Sequence, residues 1–435
     1  MPANIFIYDE FNPEDTAMMQ ALYSRSPKSV TEHVEKVKNS GSGKFMEKFY
    51  VQYGHKSIAD CGSTTIFIEG ISMLGDKAIQ DWPLYSGQET STRYIDMSKQ
   101  PIVDPLNTKG SKDILKKWMD FYVNNQEDVK EHLRKKHPRE NNQEESVYEK
   151  TIAARTFDIM RGFLPAGITT QLSWHTNLRQ AKDKLNLLRH HSLKEVKRTA
   201  ENIYSSLQEK YPNSFSHKKY EDQEEYQDYI GKNYTYYKKE EVESDFSYSS
   251  NIDTQELNKY KDLIQRRPEK TNLPHLLGEL GNIIFDFTLD FGSFRDVQRH
   301  RNGTCRIPLL TTELGFNYWY LEQLPEETRK KANILIEEQK NEIKKLDTNN
   351  NYKQYYIAMG FNVACRVSYG LPATIYVVEL RTSKAVHPTL RKVAHKMDEA
   401  LRTLFPEITL HSDLEPSSWD IKRGSQDIIE KNKYE

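Results

Sequence analysis

Two stretches of the chain place their apolar residues at identical helical offsets. In "LKEVKRTAENIYSSLQEKY" the apolar positions Leu193, Val196, Ala200, Ile203, Tyr204 and Leu207 fall at 0, 3, 7, 10, 11 and 14, one face of a helix. In "LRKVAHKMDEALRTLF" Leu390, Val393, Met397, Ala400, Leu401 and Leu404 fall at the same six offsets. Helical periodicity alone makes some coincidence unsurprising. Each helix also follows an arginine and a histidine, however, in "LLRHHSLKEV" and in "ELRTSKAVHPTLRKV". A second pair lies upstream: His55 stands twelve residues before Phe67, and His275 twelve before Phe287. Both lead into β-branched and aromatic residues with a period of two, "TTIFIEGI" and "IIFDFTL", which predict strands.

This pattern predicts a duplicated α/β (α+β) protein in which each half has a central, mostly antiparallel sheet with flanking helices. The expected boundaries are 1–212 for the first repeat and 271–410 for the second. Residues 213–270, including "FSHKKYEDQEEYQDYIGKNYTYYKKEEVESDFSYSS", are charged and Tyr-rich with little apolar periodicity, so they read as a solvated linker or insertion. Residues 411–435 read as a peripheral tail.

Composition narrows the function. The chain has 435 residues, 37% hydrophobic and 29% charged, enough for two domains with solvated surfaces. Lys plus Arg number 62 against 63 for Asp plus Glu, so no global field draws the chain to nucleic acid or an anionic membrane, and any anion site is local. The start, "MPANIFIYDEF", has no basic segment before an apolar run, and no stretch approaches a membrane span of roughly 20 apolar residues. A cytoplasmic location is expected. Cys61, Cys305 and Cys365 lack C-x-x-C spacing, which argues against a disulfide framework, a thiolate metal site and an activated cysteine nucleophile.

The candidate chemistry lies in two segments. "DVQRHRNGTCRIPLLT" sets Arg299, His300 and Arg301 side by side, and "SGQETSTRYIDMS" carries Glu89, Ser91, Arg93 and Tyr94. Guanidiniums are forked, permanent cations suited to phosphates, and they need neighbouring anions to offset their desolvation. Ser91 and Arg93, two apart on an extended segment, point to one face and can hold a terminal phosphate together. Each piece alone has a bland reading: an Arg-His-Arg triplet is often a surface cluster, loop histidines are usually satisfied structurally, and Arg381 could simply pair with Glu379.

In order and spacing, these segments resemble the flavin-dependent thymidylate synthase (ThyX) family. The family signature is Arg-His-Arg followed by Ser and then Glu-x-Ser-x-Arg-Tyr. The resemblance continues through His-x-Ser at His55 and Ser57, Arg161 three residues before Leu164-Pro165, Asn177-x-Arg179, and Arg189. It implies FAD as cofactor, with NADPH and methylenetetrahydrofolate as co-substrates, in the reductive methylation of dUMP to dTMP without a cysteine nucleophile. It also implies that Arg299, His300, Arg301, His55, Ser57, Glu89, Asn177 and Arg179 contact FAD. Glu89, Ser91, Arg93, Arg161, Arg189 and Arg381 would bind the nucleotide, with Arg299 and Arg381 catalytic. Arg381, or Arg189 in the other half, matches the arginine that stabilises negative charge on the uracil ring.

The departures divide the site between the halves. Where the first half should carry Arg-His-Arg it has Asp81-Trp82-Pro83, and in the second half Glu89, Ser91 and Arg93 correspond to Ile307, Leu309 and Thr311. One set of parts survives in each half, so a composite site is expected, with its two clamp guanidiniums buried. It would lie in a homodimer that rebuilds a four-unit assembly, and close either within or between chains. A further departure is Asp296, where the family has glutamine, which keeps open an enzyme for another pyrimidine nucleotide. An inactive flavin- or nucleotide-binding homologue is the remaining alternative.

Overall fold

The strands form two antiparallel sheets, with burial that alternates most clearly along β3 (Thr169–Asn177) and β5 (Asn282–Asp290). β1 (Ser63–Ser72), β2 (Ser86–Glu89) and β3 (Thr169–Asn177) form the first, in the order β1-β3-β2, with Ser86 opposite His175 and Glu89 opposite Leu172. In β3, Leu172, Trp174 and Thr176 are buried while Gln171 and His175 face outward. β4 (Phe246–Ser250), β5 (Asn282–Asp290), β6 (Gly303–Arg306) and β7 (Asn362–Gly370) form the second sheet, ordered β4-β5-β7-β6. Ile283, Phe285, Phe287 and Leu289 give β5 the buried face that its period of two predicted. The fold is thus mixed helix and antiparallel sheet, as expected. The structure is a computed structural model that describes residues 11–23, 30–52, 56–93, 95–141, 143–237, 245–417 and 419. His55 and Tyr94 lie outside the described residues.

Both amphipathic helices are present. Lys194–Lys210 buries Val196, Ala200, Ile203 and Leu207, and Pro388–Leu404 buries Leu390, Val393, Met397, Ala400 and Leu401. The element order strand, helix, short strand, helices, 3-10 turn, strand, helix, helix runs from β1 to Lys210 and again from β5 to Leu404, although in the second run only one of the helices before the turn, Glu326–Lys345, is long.

Two compact units emerge, and they cut across the halves drawn from sequence. One comprises residues 1–71, 75–89 and 170–235; the other comprises 72–74, 90–169 and 236–435. The reason is visible in the second unit. Helix Lys109–Asn124 has an apolar face of Ile114, Leu115, Trp118, Phe121 and Tyr122, and such a face must be covered. Residues from late in the chain cover it: the Trp118 indole donates to the Tyr356 carbonyl (3.0 Å), Gln339 Nε2 donates to the Ile114 carbonyl (2.8 Å), and Trp118 meets Phe361 edge-on at 6.4 Å.

The segment read as a solvated linker is more ordered than its composition suggested. It supplies helix Glu221–Asn233 and the edge strand β4, which pairs with β5 from Phe246 opposite Phe287 to Ser250 opposite Ile283. Before β5 the chain turns at Gly281 with φ +132°, where a Cβ would stand 2.6 Å from the Asn251 carbonyl oxygen. The start of the supposed peripheral tail is also held. Arg391, 3% exposed, donates to the carbonyls of Thr382, Asp413, Glu415 and Ser417.

Candidate functional site

The second unit gathers arginines from distant parts of the sequence around one carboxylate. Asp290 caps helix Phe291–Val297, its Oδ1 accepting from the Ser293 amide at 2.9 Å. That short helix sets Asp296 in its last turn, with Arg299 and His300 directly after it. Arg381, the last residue of helix Leu371–Arg381, reaches across to both. Its Nε donates to His300 Nε2 (2.8 Å) and its terminal nitrogen to the Asp296 backbone carbonyl (2.7 Å). Because Nε2 accepts this bond, a proton on the neutral ring sits on Nδ1. Burial, reinforced by Arg381, lowers the His300 pKa to about 3, so the imidazole is neutral.

Arg161 and Arg93 come from the first half. Arg161 opens the 3-10 turn Arg161–Phe163, is 2% exposed, and donates to Ser293 Oγ at 2.8 Å. Its Nε is buried and has no acceptor among the described residues. Gly292 leaves it room, since a Cβ there would stand 3.4 Å from that nitrogen. Arg93 forks onto Asp158, with Nε to Oδ1 at 2.7 Å and the terminal nitrogen to Oδ2 at 3.2 Å, and also donates to the Ala385 carbonyl. Asp158 is fully buried, so this is an interior ion pair. Ser91 Oγ accepts from the Arg93 amide at 3.2 Å.

Asp296 is the electrostatic centre of the group. Burial works to raise its pKa, but Arg161, Arg93, Arg381 and Arg299 outweigh it and hold the carboxyl below its ordinary range. Its side chain is 15% exposed, and Arg299 Nε stands 3.8 Å from Oδ1. The two clamp arginines are not buried as expected. The Arg299 side chain is 44% exposed, and Arg301 is half-buried with its guanidinium donating to the Arg299 carbonyl. They sit on the turn after a short helix, which projects them outward.

Beneath the arginines lies a buried polar network that sequence reasoning did not single out. Asp290 accepts from Tyr320 Oη (2.7 Å) and from Thr389 Oγ1 (2.6 Å). Ser293 Oγ lies 3.1 Å from His387 Nδ1, and His387 Nε2 lies 3.2 Å from the Asp158 carbonyl. Burial, with Arg161 nearby, drives the His387 pKa well below its usual value. The only signal was the His-Pro pair opening the last amphipathic helix, and His387 is indeed the N-cap of Pro388–Leu404.

The remaining candidates lie in the first unit, each described there on its own. Ser57 is exposed on the short helix Lys56–Asp60. Glu89 pairs with Lys77 at 3.5 Å and also accepts from Gln80. Asn177 caps helix Leu178–Leu188 by accepting from the Gln180 amide (2.8 Å). Arg179 holds Asp60 at 2.6 Å and Asp183 at 3.4 Å, and Arg189 holds Glu224 at 3.0 Å. At Asp81-Trp82-Pro83 the Trp82 indole donates to Gln180 Oε1 (2.9 Å) and Lys184 Nζ to the Asp81 carbonyl (2.7 Å). Burial brings the Lys184 pKa down to about 8.

The apolar segment "CRIPLLT" is closed by the linker's tyrosines. The Tyr237 amide donates to the Ile307 carbonyl (2.9 Å), and the Tyr237 ring lies under Arg306 at 4.9 Å and Arg366 at 5.9 Å. Gln354 accepts from the Leu310 amide (3.0 Å) and donates to Tyr236 Oη (3.0 Å).

Among the described residues no helix is long and apolar enough to cross a membrane. The chain is similar to UPF0159 proteins along most of its length. It is 24% identical to one from Chlamydia pneumoniae over 410 residues, which is 80% of this chain and 76% of that protein. It is 24% identical to one from Chlamydia muridarum over 421 residues, covering 83% and 79% of the two chains. It is 21% identical to one from Thermoplasma acidophilum over 470 residues, covering 91% and 94%. Residues 7–213, which include Arg93 and Arg161, match the thymidylate synthase complementing protein family.

Proposed function

We propose that the chain is a flavin-dependent thymidylate synthase, converting dUMP to dTMP with FAD, NADPH and methylenetetrahydrofolate at one composite site per chain. The observation that carries this reading is the convergence, in one compact unit, of Arg93 and Arg161 from the first half with Asp296, Arg299, His300 and Arg381 from the second. The site residues then come from a single chain. A homodimer of such chains would complete a four-unit assembly.

Three further features support duplication with division of labour. The element order recurs, as described above. The turn at Leu164-Pro165 pairs antiparallel with its counterpart at Ile357-Ala358: Ala166 donates to Ile357, Met359 to Leu164, and Pro165 faces Ala358. Equivalent residues facing each other are the mark of a local two-fold relation. By the same correspondence Gln354 stands for Arg161, so the second copy of the nucleotide cradle has exchanged its guanidinium for an amide engaged with Tyr236. Trp82 and Lys184 likewise fill the first copy of the clamp.

The arrangement suits an anionic nucleotide. Among the described residues Arg161 Nε has no acceptor, a place a phosphate or ring oxygen would fill, and the Arg299 side chain is 44% exposed and so within reach of an anion. Ser91, Arg93 and Arg161 would cradle dUMP, and Arg381, fixed by His300, would stabilise negative charge on the activated ring. Arg299 and Arg301, with His300 between them, would grip the flavin phosphates. Asn177 and Arg179 already have protein partners, and a contact with FAD would require those bonds to be shared or exchanged. When bound, the flavin supplies the redox chemistry. The test is an absorption spectrum for FAD together with tritium release from labelled dUMP and dTMP formation by the purified chain. Stoichiometric flavin without turnover would favour the inactive homologue, and turnover of another pyrimidine nucleotide would favour the runner-up.

A further inference from the structure

Residues from the last part of the chain fold back, within the second unit, onto the groups that hold Arg93. Arg93 is pinned from two sides: Asp158 accepts both arms of its fork, and the Ala385 carbonyl accepts from a terminal nitrogen at 3.1 Å. Ala385 sits in the loop between helix Leu371–Arg381 and helix Pro388–Leu404, and residues 411–417 hold that loop. The Asp413 amide donates to Thr382 Oγ1 at 3.2 Å, and Lys384 pairs with Glu415 at 3.2 Å. Arg391 ties the Thr382 carbonyl to the carbonyls of Asp413, Glu415 and Ser417. Trp419 reaches the other side. Its ring stacks on His137 at 3.9 Å, with 4° between the planes, and the Arg155 guanidinium lies over it at 5.7 Å. Arg155 is the second cation beside Asp158: it stops 3.9 Å from Oδ2, while Arg93 comes to 2.7 Å from Oδ1. Two guanidiniums therefore compete for one buried carboxylate, and the indole face gives Arg155 an alternative attraction.

We propose that residues 411–417 and Trp419 form a strap that positions Arg93 for the nucleotide phosphate, Trp419 acting through Arg155 and Asp158 and the preceding residues through the Ala385 carbonyl. The inference rests on the reading of Arg93 as a nucleotide ligand, and it names Trp419 as a positioning residue that acts through other side chains. A guanidinium already oriented loses little freedom when an anion binds, so loosening it costs affinity. Without the indole, Arg155 closes on Asp158 and draws that carboxylate from Arg93.

The test is calorimetric binding of dUMP to the full-length protein in excess FAD. Wild type is compared with Trp419→Leu, Trp419→Phe, Arg93→Lys and the Trp419→Leu, Arg93→Lys double variant, with melting curves to confirm folding. Trp419→Leu keeps an apolar cover and loses the π face; it should weaken dUMP binding about tenfold, the worth of one charge-assisted hydrogen bond, while FAD affinity stays within about twofold. Trp419→Phe, which restores a ring, should bind dUMP within about threefold of wild type. In the Arg93→Lys background Trp419→Leu should add no more than about a twofold loss, because the group it positions is already gone. Unchanged dUMP affinity in Trp419→Leu, an equal loss of FAD affinity, no rescue by Trp419→Phe, or additive losses in the double variant each overturn the strap and leave the thymidylate synthase reading standing. Unfolding of Trp419→Leu overturns it as well, since Trp419 would then be a core residue. Failure of the wild type to bind dUMP overturns that reading and the strap with it.

Discussion

Replacing Asp158 with asparagine keeps the shape of the side chain and removes its charge. In the native protein that charge lies at zero exposure, forked onto Arg93 at 2.7 and 3.2 Å, with Arg155 Nη1 at 3.9 Å. Asparagine would turn an amide donor toward an arginine donor and remove the buried anion that Arg93 and Arg155 share. Breaking a buried pair by removing one partner costs about 3 to 5 kcal/mol, because an uncompensated charge remains in the interior. Against a typical total of about 5 to 15 kcal/mol, that is a large loss. Urea unfolding followed by circular dichroism at pH 7.5 should therefore show Asp158→Asn less stable by about 3 kcal/mol or more. Arg93→Met combined with Asp158→Asn should be less destabilised than the sum of the single changes by at least about 1.5 kcal/mol, since the second change removes a charge already stranded. A loss below about 1 kcal/mol, or additive single effects, would refute the view that this pair is an interior contact that fixes Arg93 in place.

Two further outcomes are expected. His387 and His300 are held neutral by burial, His300 down to about 3, so their folded pKa values lie below the unfolded value of about 6.5 and unfolding takes up protons as pH falls. Stability should be full above about pH 6.5 and decline below it, by up to about 1.4 kcal/mol per pH unit for each such histidine; a urea midpoint unchanged between pH 7 and 5 would contradict this. Arg301→Ala should weaken FAD retention by about tenfold, the effect of one half-buried charge-assisted bond, and stoichiometric flavin after dialysis of that variant would contradict the clamp.

Strands β1 and β5 and both amphipathic helices were legible from their apolar patterns, and in β5 and the helices the period of two and of 3.6 also fixed which residues are buried. Ile283 to Leu289 and Leu390 to Leu401 are buried where the pattern placed them. The organisation of the chain into units was not legible. Trp118 and Phe121 mark an apolar face without naming its cover, which comes partly from Phe163 and partly from residues more than two hundred positions away. The linker's order was hidden for a similar reason: Tyr236 and Tyr237 act through a hydroxyl, an amide and a ring beneath arginines, so they leave no apolar periodicity. At the site, the arginines could be found by type and spacing. Ser293, Asp290 and Thr389 could not, since each is an ordinary polar residue whose importance comes from burial. Asp296 stood out as a departure, but only the four guanidiniums around it show why a carboxylate remains ionised there.

One chain is expected to assemble one working site from both of its halves. Arg93→Lys retains a cation for Asp158 while losing the guanidinium fork, and Arg299→Ala removes an exposed side chain, so both variants should fold. Each should lose nearly all dUMP methylation, although the two residues are more than two hundred positions apart. Mixing the purified variants under conditions that exchange subunits then locates the site, with tritium release from labelled dUMP as the readout. If the site closes within one chain, every site in the mixture lacks one arginine and no activity returns, which is the predicted result. Recovery of about a quarter of wild-type activity, as expected if half the chains pair in mixed dimers and each carries one intact site, would contradict it.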